Sequence, residues 1–531
     1  MDLNNDSIIE NLNEVKLKRI LMNLERRNNE NQKLRIKYAE DPAKFASSET
    51  ELFAVLDELQ SVSTQPELYH VLINKKAVPV LVSLLSHENS DISAKVINMI
   101  QEMTDLDDEE GKEDTEALIE ALTQENIVDL LISNLSRLDG SIKEEANAIN
   151  NSLEIIESLI DYNSQIAIVS SKSLIQWMLK ELKKSPSFNA IKLAISELLS
   201  VLLMNAHENR MHLNELNGID ILLQQVAYYR RVAPVTGDEH EFLEQLINCL
   251  CVSVQDCDQN RESFFQEEGV DLIELILREK REAVKKSTIK LSALKLFNHV
   301  LATDKNNDPI VARCCARFVE VLGLRVLFPI YNNPKLALSE KVKRKEYFQV
   351  LDEVEEHTTA IMLALLKYCQ NNEYLQRILV KFAEKNFEKL NRTIKLHEKY
   401  FRLVSNADDD DDDDANVDDE INDNSKTNDG SQLAPAVRSS ARFTLRTTDY
   451  IILLVCYLSE HFETYDPKSG ETFKNYMGNL LKCRPQLRHQ IAIEVKKHIG
   501  EVEVESLEEH NSLELLLDHF EQTAMSRKSA T

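Results

Sequence analysis

The densest group of residues able to bind metal or attack a substrate is Cys249-x-Cys251 with Cys257. Structural zinc is held by cysteines in C-x₂-C pairs, a spacing that turns both sulfurs toward one tetrahedral ion. A single intervening residue does not do this. On a helix, residues 249 and 251 point about 200° apart. These cysteines read as buried core residues. His87-Glu88, His207-Glu208 and His397-Glu398 begin like H-E-x-x-H, but none has its second histidine. No glycines fall close enough for G-x-G-x-x-G, and there is no P-loop and no G-x-S-x-G elbow. The chain is not expected to be an enzyme, and no cofactor is implied.

What remains is the chemistry of charge. The 531 residues carry 62 Lys and Arg against 90 Asp and Glu, a net charge of −28. Duplex binding draws its affinity from neutralised phosphates, so this balance disfavours direct nucleic-acid binding for the chain as a whole. It equally disfavours anionic membranes, and it steers basic partners toward the surface. One basic island opposes the trend. Between Lys16 and Lys37 stand eight basic residues, among them Lys16, Lys18, Arg19, Arg26 and Arg27, against Glu25 and Glu30. Three roles suit them: an import signal, an RNA contact, or an arm lying against the acidic body. At the other extreme, residues 408–414 are seven consecutive Asp, and residues 408–429 hold 12 acidic residues with Lys426 alone opposing them. Such a stretch is expected to be a solvated linker.

The elements that must position these charges are helices. Glycine occurs 10 times and proline 11 times in 531 residues, too seldom for the turns of a strand-rich fold. One phrase recurs: a turn residue, an aliphatic residue, then a short apolar helix. It stands at Ala77-Val78, Asn126-Ile127, Ser173-Leu174, Gly218-Ile219, Gly269-Val270 and Gly323-Leu324, at steps of 49, 47, 45, 51 and 54 residues. Armadillo and HEAT repeats run about 40–47 residues each. Asn209-Arg210 and Asn260-Arg261 each stand nine residues, counted from the Asn, before their glycine. The glycine is expected to supply the left-handed turn that ends the first helix. A longer amphipathic stretch follows each second helix, as in Ile92, Val96, Met99, Ile100 and Met103, whose spacing of 4, 3, 1 and 3 makes one helical face. Trp177, the single tryptophan, is expected in the core, so a ladder of groove tryptophans is excluded.

The reading is therefore all-α: an armadillo/HEAT-like right-handed superhelical solenoid with an N-terminal helical arm and a C-terminal helical cap. Its expected parts are a basic arm over 1–50, repeats over 51–400, an acidic disordered linker over 401–440 and a helical cap over 441–531. Stacked repeats share one core and leave a trough lined by the third helices. Glu102, Asp105, Glu154, Glu157 and Glu197 fall on those helices, where carboxylates accept charge-assisted bonds from Lys and Arg. The longest apolar run, residues 451–458, is far short of a membrane span. The first nineteen residues lack an apolar signal core, and the eight cysteines read as reduced thiols.

Several segments also carry a family resemblance. They include Arg26-Arg27-Asn28-Asn29-Glu30-Asn31-Gln32-Lys33-Leu34-Arg35-Ile36-Lys37 with Pro42-Ala43-Lys44-Phe45, and Pro66-Glu67-Leu68-Tyr69-His70. Gln101-Glu102-Met103-Thr104-Asp105, Lys143-Glu144-Glu145-Ala146 and Asn217-Gly218-Ile219-Asp220 follow in order, as do Leu277-Arg278-Glu279-Lys280 and Phe318-Val319-Glu320-Val321-Leu322-Gly323-Leu324-Arg325. Over residues 17–400 the chain resembles the β-catenin-like protein 1 family, armadillo proteins of the spliceosome's NineTeen complex. The resemblance weakens beyond residue 400. It implies a nuclear pre-mRNA splicing factor that binds basic, import-signal-like segments of spliceosomal proteins, a Myb-domain subunit of the complex among them. Two alternatives stand beside it: a scaffold that dimerises or docks through apolar end-repeat surfaces, and RNA binding through the basic N-terminal arm.

Overall fold

The computed structural model describes residues 12–105, 111–168, 171–281, 288–339, 342–414, 435–501 and 507–525. Among these are 24 α-helices and no β-strand, only an isolated antiparallel bridge between Tyr465 and Thr472. Two helices open the chain, α1 (Glu14–Lys37) and α2 (Ala46–Leu59). Helices then come in threes: α3 (Tyr69–Asn74), α4 (Ala77–Leu84) and α5 (Ser90–Met103), then α6 (Lys112–Gln124), α7 (Ile127–Leu135) and α8 (Lys143–Tyr162). The next group has a 3₁₀ turn at Ser164–Ile168 in place of a first helix, followed by α9 (Ser171–Lys184) and α10 (Ala190–Asn205). Full triplets resume with α11 (His207–Glu215), α12 (Gly218–Tyr229) and α13 (Gly237–Val254), then α14 (Asp258–Gln266), α15 (Gly269–Arg278) and α16 (Ile289–Leu301). The last is α17 (Pro309–Glu320), α18 (Leu324–Asn332) and α19 (Tyr347–Tyr368). The order first helix, short second helix, long third helix is that of armadillo repeats.

Five of the six recurrent phrases start a second helix, while Ser173-Leu174 lies two residues inside α9; the turn before the helix works differently from the expectation. The left-handed residue is the one ahead of the glycine: Asn217 at φ 54°, Glu268 at φ 58° and Leu322 at φ 69°. Gly323 itself has right-handed helical angles, φ −54° and ψ −30°. Glycine is needed there for space. A Cβ on Gly323 would stand 2.5 Å from the Phe318 ring, and one on Gly269 2.6 Å from the Phe264 ring. On Gly218 it would stand 2.3 Å from Leu213 Cδ1. In each copy the crowding side chain lies five residues earlier. Lys76 and Asn126 take the left-handed position in the first two copies, so Ile127 sits in the register of the glycine, one residue from where the sequence spacing puts it.

The Asn-Arg phrase is explained by the carbonyls that a third helix leaves unpaired at its end. Asn209 Nδ2 donates to Leu202 O at 2.8 Å and to Ala167 O at 2.9 Å, and Arg210 Nε donates to Leu203 O at 2.9 Å. Arg261 donates to Ala302 O at 3.1 Å and pairs with Asp258 at 2.5 Å and Asp308 at 3.1 Å.

The chain divides into two compact units, Met1–Gln225 with Val235–Ser253, and Val226–Pro234 with Val254–Thr531. In the first, the third helices α5, α8 and α10 lie side by side. Helix α13 joins α10 through Asn248 Nδ2 to Ser200 Oγ at 2.8 Å and Cys249 Sγ to Ser196 O at 3.2 Å. Helix α8 buries Ile149, Leu153, Ile155, Ile156, Leu159 and Ile160. Each such side chain contributes about 1.5–3 kcal/mol before the cost of ordering the chain is subtracted. Trp177 on α9 is 7% exposed and donates from Nε1 to Leu135 O at 3.1 Å. In the second unit, α16, α19 and α21 (Pro435–His461) lie side by side. Helix α20 (Asn372–Asp414) bends at residues 384–387 and runs along α21. Helices α22 (Phe473–Cys483), α23 (Pro485–Glu501) and α24 (Leu507–Met525) pack against α21 and one another. The backbone of α20 stays helical through Asp414, into the Asp run, and residues 415–434 of the expected linker lie outside the described residues.

Candidate carboxylate track on the third helices

Helix α5 starts at a capped turn, with Asn89 Oδ1 accepting from Asp91 N at 2.9 Å, and its apolar face is the one read from the spacing at Ile92. That fixes the opposite face. Asn98 and Glu102, one turn apart, lie off the core side. Glu102 is exposed and accepts from Gln60 Nε2 and Ser63 Oγ, each at 2.7 Å. Asp105, also exposed, follows the helix end.

On α8, Glu154 is exposed and Glu157 half-buried; on α10, Glu197 is half-buried. The structure brings these together across helices. Burial raises Glu154 above its ordinary carboxylate value, and Asp105 adds to the rise. Burial raises Glu157, with Asp161 and Glu154 adding to it. Burial raises Glu197, and Glu241 of α13, Glu157 and Glu154 all push the same way. Each of the three therefore responds to neighbouring carboxylates and to no described cation. The result is a track of like charges running from exposed Asp105, just past the end of α5, across α8, α10 and α13, with Glu157 and Glu197 half-buried in it. Of the five expected residues, Asp105, Glu154, Glu157 and Glu197 form it. Glu102 lies on α5 beside it and is engaged by Gln60 and Ser63.

Sequence reading missed the polar ladder beneath the track. Asn151 Nδ2 donates to Asn98 Oδ1 at 2.9 Å, linking α8 to α5, and the Asn248–Ser200 bond links α13 to α10. Each ladder residue stands one turn from a carboxylate: Asn98 with Glu102, Asn151 with Glu154, Ser200 with Glu197 and Asn248 with Glu244. That spacing of three or four was the available signal. Glu241 and Asp161 were missed too, since only stacking shows which neighbouring turns face the same trough.

The N-terminal basic residues divide. Helix α1 buries Leu17, Ile20, Leu21 and Leu24 and packs along α2. Arg27 pairs with Glu30 at 3.1 Å and with Glu51 of α2, and Lys18 pairs with Glu14 at 2.5 Å. Arg35 pairs with Glu49 and Glu88 and lies 4.7 Å over the Phe45 ring. Lys16 is half-buried, while Arg19 and Arg26 are exposed. Cys249, Cys251 and Cys257 are buried, and burial lifts the Cys249 thiol well above its ordinary value. No helix of the described residues is long and apolar enough to cross a membrane.

The chain is 38% identical over 400 residues to human β-catenin-like protein 1, an overlap of 75% of this chain and 68% of that one. It is 29% identical over 392 residues to the β-catenin-like protein 1 homolog of Schizosaccharomyces pombe, covering 73% and 64%. Among solved structures, an engineered protein overlaps 97% of this chain and 98% of its own with 12% identity and a TM-score of 0.47. The family model described as catenin-beta-like, Arm-motif containing nuclear, matches residues 1–482. With the helical triplets already in place, that match over most of the chain means that the protein belongs to the catenin-beta-like family of armadillo-motif nuclear proteins.

Proposed function

We propose that this protein is a non-enzymatic nuclear adaptor that holds basic, extended segments of partner proteins along the carboxylate track. The observation that carries the reading is the placement of half-buried Glu157 and Glu197 with exposed Glu154 among further carboxylates, where burial and then like charge push all three carboxyls up. Keeping like charges together in a partly dry trough costs stability, and a cationic ligand offsets that cost. The Asn98–Asn151 and Asn248–Ser200 bonds add amides and hydroxyls able to meet the backbone of an extended chain. Family membership supports spliceosomal proteins with import-signal-like segments as the partners, such as a Myb-domain subunit of the NineTeen complex, and supports a role in pre-mRNA splicing.

The test is fluorescence anisotropy of the full chain with a labelled Lys/Arg-rich peptide across a salt series. Half-exposed ion pairs are screened, so affinity should fall steeply with salt. Glu157→Lys and Glu197→Lys should each weaken binding about tenfold or more, the effect of roughly 1.4 kcal/mol or more. Binding indifferent to salt and to both reversals defeats the proposal.

A further inference from the structure

One face of α1 lies on α2, and the opposite face carries two regular rows. Val15, Met22, Asn29 and Ile36 stand at seven-residue intervals, all exposed. Arg19, Arg26 and Lys33 form a second exposed row, again seven residues apart. The rows interleave at spacings of 4 and 3, the period of 3.5 that keeps one seam of a helix turned toward a partner helix. The apolar members are among the most open large hydrophobic side chains of the described residues: Val15 is 62% exposed, Met22 73% and Ile36 83%. Among the described residues, Arg19, Arg26 and Lys33 make no ion pair, whereas their neighbours do. Lys18 is held by Glu14, and Arg27 by Glu30 and Glu51. Glu25, the remaining carboxylate of α1, lies about 80° round the helix from Val15. A chain of net charge −28 thus leaves three cations open in one row, beside an uncovered apolar row.

Each row restricts the occupant. Val15, Met22 and Ile36 call for an apolar surface, and the cations call for carboxylates at the same interval. A second copy of this chain would set Arg19, Arg26 and Lys33 against their own kind, and like charges across such a seam oppose pairing. Nucleic acid would meet the cations but leave the apolar row bare, and neither row holds an aromatic ring on which a base could stack. A linear import signal is a short continuous basic run; these cations are instead spread over a helix anchored to α2.

We propose that the outer face of α1 docks an amphipathic acidic helix of a partner protein. Its apolar seam covers Val15, Met22 and Ile36, and its carboxylates, one per heptad, meet Arg19, Arg26 and Lys33. From Val15 to Ile36 the seam runs about 31 Å, roughly six turns. Asn29 sits in the apolar row, where a polar residue costs stability and sets register, so the partner helix carries an amide opposite it. This occupant is opposite in charge to that of the carboxylate track, so the two surfaces take different partner segments.

The probe is a labelled synthetic helix of about six turns, with Leu and Glu in heptad register and one Asn in the seam. A peptide of the same composition in scrambled order is the control. Fluorescence anisotropy with the full chain should show saturable binding of the probe and at least tenfold weaker binding of the scrambled peptide. Arg26→Glu should weaken the probe tenfold or more, and Met22→Gln comparably. Both side chains are exposed, so circular dichroism and urea midpoints should match the parent. A probe with Lys in place of the Glu opposite residue 26 should regain affinity for Arg26→Glu. Arg26→Glu should keep its affinity for the Lys/Arg-rich peptide, and Glu157→Lys its affinity for the probe, which separates failure here from failure of the track reading. Absence of probe binding overturns the proposal, as does equal binding by the scrambled peptide or by both variants. An RNA oligomer that binds in an Arg26-dependent way where the probe does not overturns it in favour of nucleic acid. A dimer of the full chain that Met22→Gln dissolves overturns it in favour of a second copy.

Discussion

Gly323 tests the repeat turn most directly. Its backbone angles suit any residue, so the lower entropy of the unfolded chain alone predicts that Gly323→Ala stabilises by about 0.4–1 kcal/mol. The packing predicts the reverse. The new Cβ would meet three atoms of the Phe318 ring at 2.5, 2.6 and 2.6 Å, and real Cβ contacts do not come so close. Phe318 has no room to retreat, being fully buried with its ring 4.7 Å from that of Phe297. Overpacking of this kind costs about 1–3 kcal/mol, so the net expectation is a loss of about 1–2 kcal/mol. Gly478, inside α22, is the control, because a Cβ there would meet only Thr523 O at 3.8 Å. Gly478→Ala should gain about 0.5–1 kcal/mol. Urea denaturation followed by circular dichroism measures both. Phe318→Leu should lessen the cost of Gly323→Ala, giving a coupling of about 0.5 kcal/mol or more in the double-mutant cycle. A neutral or stabilising Gly323→Ala, or strict additivity with Phe318→Leu, would show that the glycine is not there to clear the ring.

The crowding of like charges along the carboxylate track should cost the folded protein stability. A carboxyl raised in the folded chain from the ordinary 4.5 leaves stability greatest at low pH and lost as pH rises through the folded value. Glu157→Gln and Glu197→Gln should thus be more stable than the parent at neutral pH by a few tenths to about 1 kcal/mol. The gap should close as the pH falls below about 4.5, and thermal melts across pH that show no gap at neutrality would contradict the like-charge account. Trp177 should emit at short wavelength, shielded from iodide, and Trp177→Phe should cost about 1 kcal/mol by leaving Leu135 O without its donor. Wild-type emission characteristic of water-exposed indole would count against that packing. His397 Nδ1 lies 2.6 Å from Asp449 Oδ1, with both side chains at most 1% exposed. His397→Ala strands a buried carboxylate and should cost about 3–5 kcal/mol in urea denaturation; a loss under 1 kcal/mol would mean that the pair does not hold α20 to α21.

Local periodicity made much of the architecture readable. A helix writes its buried face into residues three and four apart, so Ile92, Val96, Met99, Ile100 and Met103 announced α5 before any coordinate. The recurrent phrase announced where the second helices begin. The same logic placed Glu102, Glu154, Glu157 and Glu197 on third helices, because their turns lie within stretches whose apolar faces are unmistakable.

What sequence alone determined is therefore the all-helical class and the triplet order of its repeats. Tertiary stacking decided the rest, since it joins residues tens of positions apart whose spacing carries no local signal. Glu241 reaches Glu197 only because α13 lies beside α10, and Arg438 faces a cavity only because α21 packs next to α19, which packs in turn on α16. The role of Gly323 was likewise hidden: a glycine beside a turn suggests an unusual backbone, and only the ring of Phe318 against its Cα shows that the missing Cβ is what the fold requires.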